Sequence, residues 1–305
     1  MERDDAVTLA VDLGKTRCRV AVMSARGVLE GVEDEGTAGA AVPDGAGEVS
    51  RRVLDLVRRL PAHGASAVGV GAAGALTDAV AAREIATALV SGLRLPVAVT
   101  SDVVTAHVGA LGGGAGVGLV AGTGAVALGV TAGGELRRVD GWGPHLGDLG
   151  GGSWIGREGM RAVLRAESGL GPATGLAADL AGLIGSEGDV VRWVSVDPIP
   201  ARRLAAFAPA VLGRAAAGDG VAVEIADQAA ALLAESAHAA SGPTSRRVSV
   251  LGGLTGAPWF VERLVDALRS RGLVPVAPAG SALDGAHIIA RRADLPHERY
   301  IHRAQ

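Results

Sequence analysis

Three glycine-rich turns divide this chain, and each follows a run of small or β-branched apolar residues. They lie in the segments AVDLGKTRCRV (Ala10–Val20), GLVAGTGAVALGV (Gly118–Val130) and VSVLGGLTG (Val248–Gly256). Glycine lets backbone amides approach a bulky anion and adopt a positive φ without strain. The first two turns re-enter an extended run and the third leads into a helix. This pattern indicates a nucleotide triphosphate held between two related halves.

The length of 305 residues exceeds that of a single ordinary hydrophobic core and predicts two domains. Apolar residues make up 49% of the chain but aromatic residues only 2%, so the core is expected to consist mainly of Ala, Val and Leu. We place an N-terminal lobe at residues 1–108 and a C-terminal lobe at 109–286. A C-terminal helix at about 287–305 is a candidate to pack on the first lobe.

Charge and cysteine content exclude several classes of protein. The net charge of −3 and pI of about 6.2 favour neither a nucleic-acid nor an anionic-membrane partner. The start MERDDAV lacks the apolar core of a secretory signal. The uncharged stretch Gly109–Gly134 contains eleven glycines, so we interpret it as a buried strand–turn–strand and not a membrane span. A single cysteine, Cys18, cannot form a disulfide or a metal cluster within one chain, which favours a reducing cytoplasm.

Periodicity predicts a mixed α/β fold. A three-stranded meander is expected within residues 7–29 and a loop at 30–47. Strands and helices then alternate up to residue 110, where a second hairpin-led half begins. In the second half, helices are expected over 156–167, 174–183, 201–216, 220–240, 258–271 and 281–292.

Seven ordered segments carry a resemblance to a known family: AVDLGKTRCRV, GAAGAL, TSDVVTAH, VAGTGAVA, DGWGPHLGDLGGGSWIGREG, LGGL and ALDGAHIIA. Together they resemble the N-acetylglucosamine kinase family, which is grouped with the BadF/BadG/BcrA/BcrD-type ATPases. Its superfamily also holds hexokinase, heat-shock chaperones and actin. The resemblance implies an actin-like ATPase fold, with two ribonuclease-H-like lobes and a nucleotide cleft between them.

The resemblance implies ATP and Mg²⁺ as cofactors. Asp12 ends the first strand, and a carboxylate there can hold Mg²⁺ through water. Lys15 is the only lysine of the chain, and its compact charge suits a phosphate. The family usually has glycine at this position. The residues expected to bind ATP are Gly14, Lys15 and Thr16, then Gly122, Thr123 and Gly124 in the second turn, and Gly252 and Gly253 beside the adenosine.

Asp102 matches the family's catalytic base in TSDVVTAH. A carboxylate at a strand end can accept the proton of a sugar hydroxyl as a phosphoryl group is transferred. The competing interpretation is a cap for a helix that begins at Val103. The residues expected to contact the substrate are Asp102, Thr123, Gly141, Trp142 and Asp148.

Several polar residues of the family are absent. The chain has no asparagine, Thr37 stands near the position of the family's sugar-binding Asn, and Ala73, Ala125 and Leu149 replace two hydroxyls and an acid. Fewer polar contacts suggest a different or looser sugar.

The favoured function is therefore ATP-dependent phosphorylation of an amino sugar (N-acetylglucosamine, glucosamine or a related sugar) by a cytoplasmic homodimer. The alternatives are a BadF-type ATPase activator of an acyl-CoA reductase or dehydratase, and a non-catalytic sugar sensor with the kinase fold. The activator would need a [4Fe–4S] cluster with cysteine ligands, which one cysteine per chain matches poorly.

Overall fold

Two hydrogen-bonded sheets organise the computed structural model, which describes residues 6–61, 64–185, 188–196, 200–242 and 245–305. The chain forms two compact units. The first holds the described residues up to Ala115 together with Val130–Leu136 and Ala277–Gln305, and the second holds Gly116–Gly129 and Arg137–Val276. Within the described ranges, no helix is both long enough and apolar enough to cross a bilayer.

The strands of the described residues, in chain order, are β1 (Thr8–Leu13), β2 (Arg17–Ser24), β3 (Gly27–Glu35), β4 (Val68–Ala72), β5 (Val97–Thr100), β6 (Gly116–Ala121), β7 (Ala125–Val130), β8 (Leu136–Asp140), β9 (Arg247–Leu251), β10 (Val274–Val276) and β11 (His302–Ala304). The helices are α1 (Gly45–Arg58), α2 (Ala79–Leu93), α3 (Asp102–Ala110), α4 (Gly152–Glu167), α5 (Leu176–Ile184), α6 (Val190–Ser195), α7 (Pro200–Ala206), α8 (Ala208–Ala216), α9 (Gly220–Ala240), α10 (Pro258–Ser270) and α11 (Ala282–Arg291).

The sheet of the first unit has the strand order β11-β5-β4-β1-β2-β3. β1, β2 and β3 form the expected antiparallel meander, β4 pairs with β1 in parallel, and β5 pairs with β4 in parallel. Parallel neighbours end at the same edge of a sheet. The turn after β1 and the Ser101–Asp102 segment after β5 are therefore carried by one edge.

Glycines allow helix α11 to lie directly against α3 and β4. A Cβ at Gly285 would overlap the carbonyl oxygen of Thr105, and a Cβ at Gly109 would overlap that of Ser281. A Cβ at Gly69 would overlap the carbonyl of Ala286 in the same way. This close packing holds the helix that begins at Asp102 against the sheet.

The sheet of the second unit has the order β10-β9-β6-β7-β8, with β6 and β10 both parallel to β9. Its core is rich in alanine, as the composition predicts, and the buried face of α9 includes Ala226, Ala229, Ala230 and Ala237. Phe207, Phe260 and Trp154 supply much of the remaining bulk. This dense core supports the two turns at the ends of β6 and β9.

Three local predictions were wrong. The segment predicted as a loop from residue 30 continues as β3 to Glu35, because an exposed edge strand tolerates a run of acids. The helix expected from residue 156 begins at Gly152, inside the glycine run. The single helix expected over 201–216 is two helices, α7 and α8, since a proline lies in the first turn of α8.

Candidate functional site

The first glycine turn is a hydrogen-bonded hairpin with two exposed side chains. Gly14 N donates to Arg17 O at 2.9 Å and closes the turn between β1 and β2. Thr37 N donates to Gly14 O at 3.3 Å, and a Cβ at Gly36 would overlap that same carbonyl. The chain after β3 thus supports the turn from one side, while Lys15 and Thr16 are exposed.

Asp12 is paired with Arg19, a contact that the sequence analysis missed. The two residues face each other in the β1–β2 register. Arg19 donates to Asp12 Oδ2 from Nε at 3.2 Å and from Nη2 at 2.5 Å. No described residue donates to Oδ1. Within the described ranges, no group of three or more acidic, His or Cys side chains could hold a metal ion.

Asp102 lies in the same unit as the first turn, and the charges of Asp12 and Lys15 act on its carboxyl group. It is the first residue of α3, so the helix begins one residue earlier than expected and Ser101 takes the capping position. Asp102 Oδ1 accepts from Ser101 Oγ at 2.8 Å and from Val103 N at 2.9 Å. No described residue donates to Oδ2. One carboxylate oxygen is thus held and the other is free to accept a proton.

The environment of Asp102 suits a general base. Burial raises the pKa of its carboxyl above the ordinary value, and the nearby charge of Asp12 raises it further. The hydrogen bonds from Ser101 and Val103 and the charge of Lys15 oppose this increase in pKa. A carboxylate with a raised pKa accepts a proton more readily than a solvated aspartate does.

In the second unit, the Gly122–Gly124 turn is held by the start of α4. Gly152 N donates to Gly122 O at 2.7 Å, and Ser153 N donates to Thr123 O at 2.8 Å. The first two amides of α4 are therefore hydrogen-bonded to this turn. The side chain of Thr123 is exposed. The turn presents a hydroxyl from a fixed backbone.

The third glycine turn packs directly on the second. Gly252 has φ +103°, and a Cβ there would lie 2.5 Å from the carbonyl oxygen of Ala121 and 3.1 Å from Gly122 N. Gly253 has open space where a Cβ would be. Only glycine fits the first of these positions, so the structure brings the second and third turns together.

The loop of residues 141–149 contains the remaining predicted residues. Gly141 has φ +75°, and its carbonyl accepts a hydrogen bond from the Arg138 guanidinium. Trp142 is 64% exposed, whereas Asp148 is partly buried and has φ +56°. Burial raises the pKa of Asp148, as does the charge of Asp140, while backbone N–H groups of Ala125 and Gly143 lower it. Asp148 thus connects this loop to the end of the second turn.

Asp140 is a second residue that the sequence analysis missed. Its side chain is buried and accepts three backbone N–H groups of the same loop. The signal in the sequence is an acid directly before Gly141-Trp142, since Asp tolerates left-handed backbone and binds nearby amides.

The predicted residues therefore form one group in each unit. Those in the first unit are Asp12, Gly14, Lys15, Thr16 and Asp102, and those in the second are Gly122, Thr123, Gly124, Gly141, Trp142, Asp148, Gly252 and Gly253.

Comparison with known proteins confirms the family resemblance and the fold class. The sequence pattern of the BadF/BadG/BcrA/BcrD ATPase family matches residues 9–286. An N-acetyl-D-glucosamine kinase of Dictyostelium discoideum is 36% identical over 108 residues, which span about a third of each chain (34% of both).

The inferred N-acetylglucosamine kinase of Chromobacterium violaceum is 26% identical, with a TM-score of 0.75 over 94% of this chain and 99% of that one. A glucokinase of the ROK family from Streptomyces griseus, solved with glucose and AMPPNP, is 20% identical with a TM-score of 0.58 over 94% of this chain and 99% of that one. The fold is thus that of the actin-like ATPase sugar kinases.

Proposed function

The chain belongs to the BadF/BadG/BcrA/BcrD ATPase family, and from that premise we propose that it is an ATP-dependent sugar kinase. The acceptor is a hydroxyl of N-acetylglucosamine, glucosamine or a related amino sugar. The similarity to kinases named for N-acetylglucosamine supports this choice of substrate class.

The observation that carries the proposal is the state of Asp102. Its Oδ1 is fixed by Ser101 and Val103, its pKa is raised by burial, and its Oδ2 accepts nothing from the described residues. We assign Asp102 as the general base that takes the proton from the acceptor hydroxyl. Its position beside the first turn, whose charges act on its pKa, suits a base that works next to a phosphoryl group.

The glycine turns are proposed to bind the nucleotide. The exposed ammonium of Lys15 and the hydroxyls of Thr16 and Thr123 are assigned to phosphate oxygens, since the supporting contacts leave these side chains free of the turn backbone. Gly252 and Gly253 are assigned to the adenosine. Asp12 would hold the nucleotide's Mg²⁺, since Arg19 occupies Oδ2 and no described residue donates to Oδ1. When bound, that ion neutralises charge on the triphosphate.

The second-unit loop is proposed to bind the sugar. The carboxylate of Asp148 can accept hydrogen bonds from sugar hydroxyls, which are strong when the acceptor is charged. The exposed ring of Trp142 offers an apolar face. The N–H and carbonyl of Gly141 are already bonded to Asp140 and Arg138, so Gly141 is assigned to shaping the loop beside the sugar. Thr37, by contrast, is buried, and its hydroxyl accepts from Gly39 N at 3.3 Å, so it is a weak substitute for a sugar-binding Asn.

The iron-dependent activator is less compatible with the structure. Cys18 is buried in β2, and burial raises the pKa of its thiol to about 12. A cluster shared between two chains needs cysteine ligands at the surface where the chains meet, and the side chain of Cys18 is fully buried. The sugar sensor remains the competing proposal, because it differs from the kinase only in chemistry. The homodimer and the cytoplasmic location also stay proposals, based on the resemblance and the composition.

Coupled measurement of ADP release across a panel of sugars tests the proposal. The panel contains N-acetylglucosamine, glucosamine, N-acetylmannosamine and glucose, with ATP and Mg²⁺. We expect release that depends on an amino sugar. Saturable sugar binding by calorimetry without ADP release would instead identify a sensor, and iron in the purified protein would support the activator.

A further inference from the structure

We propose that Asp140 is a positioning residue for the acceptor sugar. Its buried carboxylate fixes the loop of residues 141–149 and so holds Trp142 and Asp148 in place. The inference rests on the proposed function, because that function makes Trp142 and Asp148 sugar contacts. It adds a residue to which no contact with the sugar or the nucleotide is assigned.

The hydrogen bonds of Asp140 span the whole loop. Oδ1 accepts from Gly141 N at 2.7 Å and from Asp148 N at 2.6 Å, and Oδ2 accepts from Leu149 N at 2.8 Å. The side chain is only 2% exposed. Hydrogen bonds from backbone N–H groups to a buried carboxylate are stronger than hydrogen bonds between neutral groups, and leaving them unmade is costly because water does not reach the site. One side chain thus joins the first residue of the loop to its last two.

The backbone is shaped for this arrangement. Asp140 has φ +63° and Asp148 φ +56°, so left-handed residues lie at both ends of the loop. A Cβ at Gly147 would overlap Asp140 Oδ1. The absence of a side chain at position 147 therefore lets the returning chain reach the carboxylate.

The loop is also tied to the second glycine turn through Asp148. Backbone N–H groups of Ala125 and Gly143 act on the Asp148 carboxylate, which lies against Gly124. A shift of the loop would therefore move Asp148 relative to that turn. Asp140 controls this position through its bonds to the amides of Asp148 and Leu149.

The test is the variant Asp140→Asn. Asparagine has nearly the same shape and tolerates the left-handed region, but its amide group turns one acceptor into a donor that faces an N–H. We expect the KM for the sugar to rise roughly 10- to 100-fold, with the KM for ATP almost unchanged. Hydrogen–deuterium exchange should rise in the segment 141–149.

Asp219→Asn is a matched control. Asp219 lies in the same unit and likewise organises a loop, accepting from Gly175 N at 2.8 Å, Thr174 Oγ1 at 2.8 Å and Ala222 N at 3.1 Å. It carries no assigned contact to substrate. This variant should increase exchange near residues 174–176 and 220–222 but leave the sugar KM unchanged.

The outcomes separate this inference from the proposed function. If the wild-type protein shows no sugar-dependent ADP release, the proposed function fails and the inference fails with it. If the wild type is active and Asp140→Asn loosens the loop but keeps the sugar KM, only the positioning role is overturned. Should Asp140→Asn not fold, Asp140→Gly accommodates φ +63° and removes the same acceptors. An unchanged sugar KM in that variant would also overturn the role.

Discussion

Replacing Gly124 with alanine should displace Asp148 without disturbing the backbone. Gly124 does not have a positive φ, so alanine is conformationally acceptable. Its Cβ, however, would lie 2.5 Å from Asp148 Oδ2 and 2.8 Å from its Cγ. Ordinary van der Waals contact begins near 3.4 Å, so the carboxylate must retreat by about 1 Å.

A displacement of about 1 Å in a substrate-positioning group can reduce the rate about 100-fold, which corresponds to roughly 2.7 kcal/mol. We therefore expect kcat/KM for the sugar to fall about 100-fold in Gly124→Ala, mostly through KM. The KM for ATP should change much less, because the contact affects the sugar loop. Steady-state ADP release at varied sugar and fixed ATP measures the first quantity, and the reverse experiment measures the second.

Gly122→Ala is the paired variant in the same turn. Its Cβ would meet only Gly253 N, at an ordinary 3.8 Å, so Asp148 is left in place. This variant tests the nucleotide side, and its sugar KM should stay close to that of the wild type. If Gly124→Ala and Gly122→Ala showed the same sugar KM, the assignment of Asp148 to the sugar would be refuted.

Three further outcomes follow from packing and charge. Gly285→Ala would place a methyl group against the carbonyl oxygen of Thr105 in α3, and it should lower the free energy of unfolding, measured with urea, by about 1–3 kcal/mol. Gly213→Ala adds its methyl group in open space within a helix and should raise the free energy of unfolding by about 0.5–1 kcal/mol. Burial and the nearby His107 lower the pKa of His297 to about 3 in the folded protein. The unfolded chain is therefore protonated at this residue first, and the free energy of unfolding declines as pH falls from about 6.5 toward 3. The melting temperature of His297→Gln should depend less on pH over that range. Arg19→Ala removes the ion pair of Asp12, so the Mg²⁺ concentration for half-maximal ADP release should fall about 2- to 5-fold. An unchanged value would contradict the assignment of Asp12 to the metal.

Elements set by local patterns were predicted well from the sequence. The glycine turns, the long helix α9 and helix α10 each depend on residues close in the chain. Helix α6 and strand β11 were missed because both are short, and β11 forms only by pairing with β5 far away in sequence. Edge strand β3 was cut short because its acidic residues are typical of loops.

The candidate site shows the same division. Asp102 was predicted as the base from the family resemblance, and the helix it was alternatively expected to cap begins at Asp102 itself, with Ser101 at the capping position. The pairing of Arg19 with Asp12 follows from a hairpin register that the sequence leaves open by one position. The role of Asp140 depends on amides eight and nine residues later, which return to it only through left-handed backbone. A helical or strand periodicity in the sequence cannot predict these hydrogen bonds, because they depend on the path of an irregular loop.

The most direct test compares sugar-dependent ADP release by the wild-type protein and by Asp102→Asn. Asp78→Asn serves as the control, since Asp78 caps α2 in the same unit through the amides of Val80 and Ala81. We predict that Asp102→Asn lowers kcat by roughly 10²- to 10⁴-fold while nucleotide binding persists. In the wild type, activity should fall with decreasing pH through a pKa above the usual aspartate value, because burial raises the pKa of Asp102. Near-normal turnover by Asp102→Asn would contradict the account.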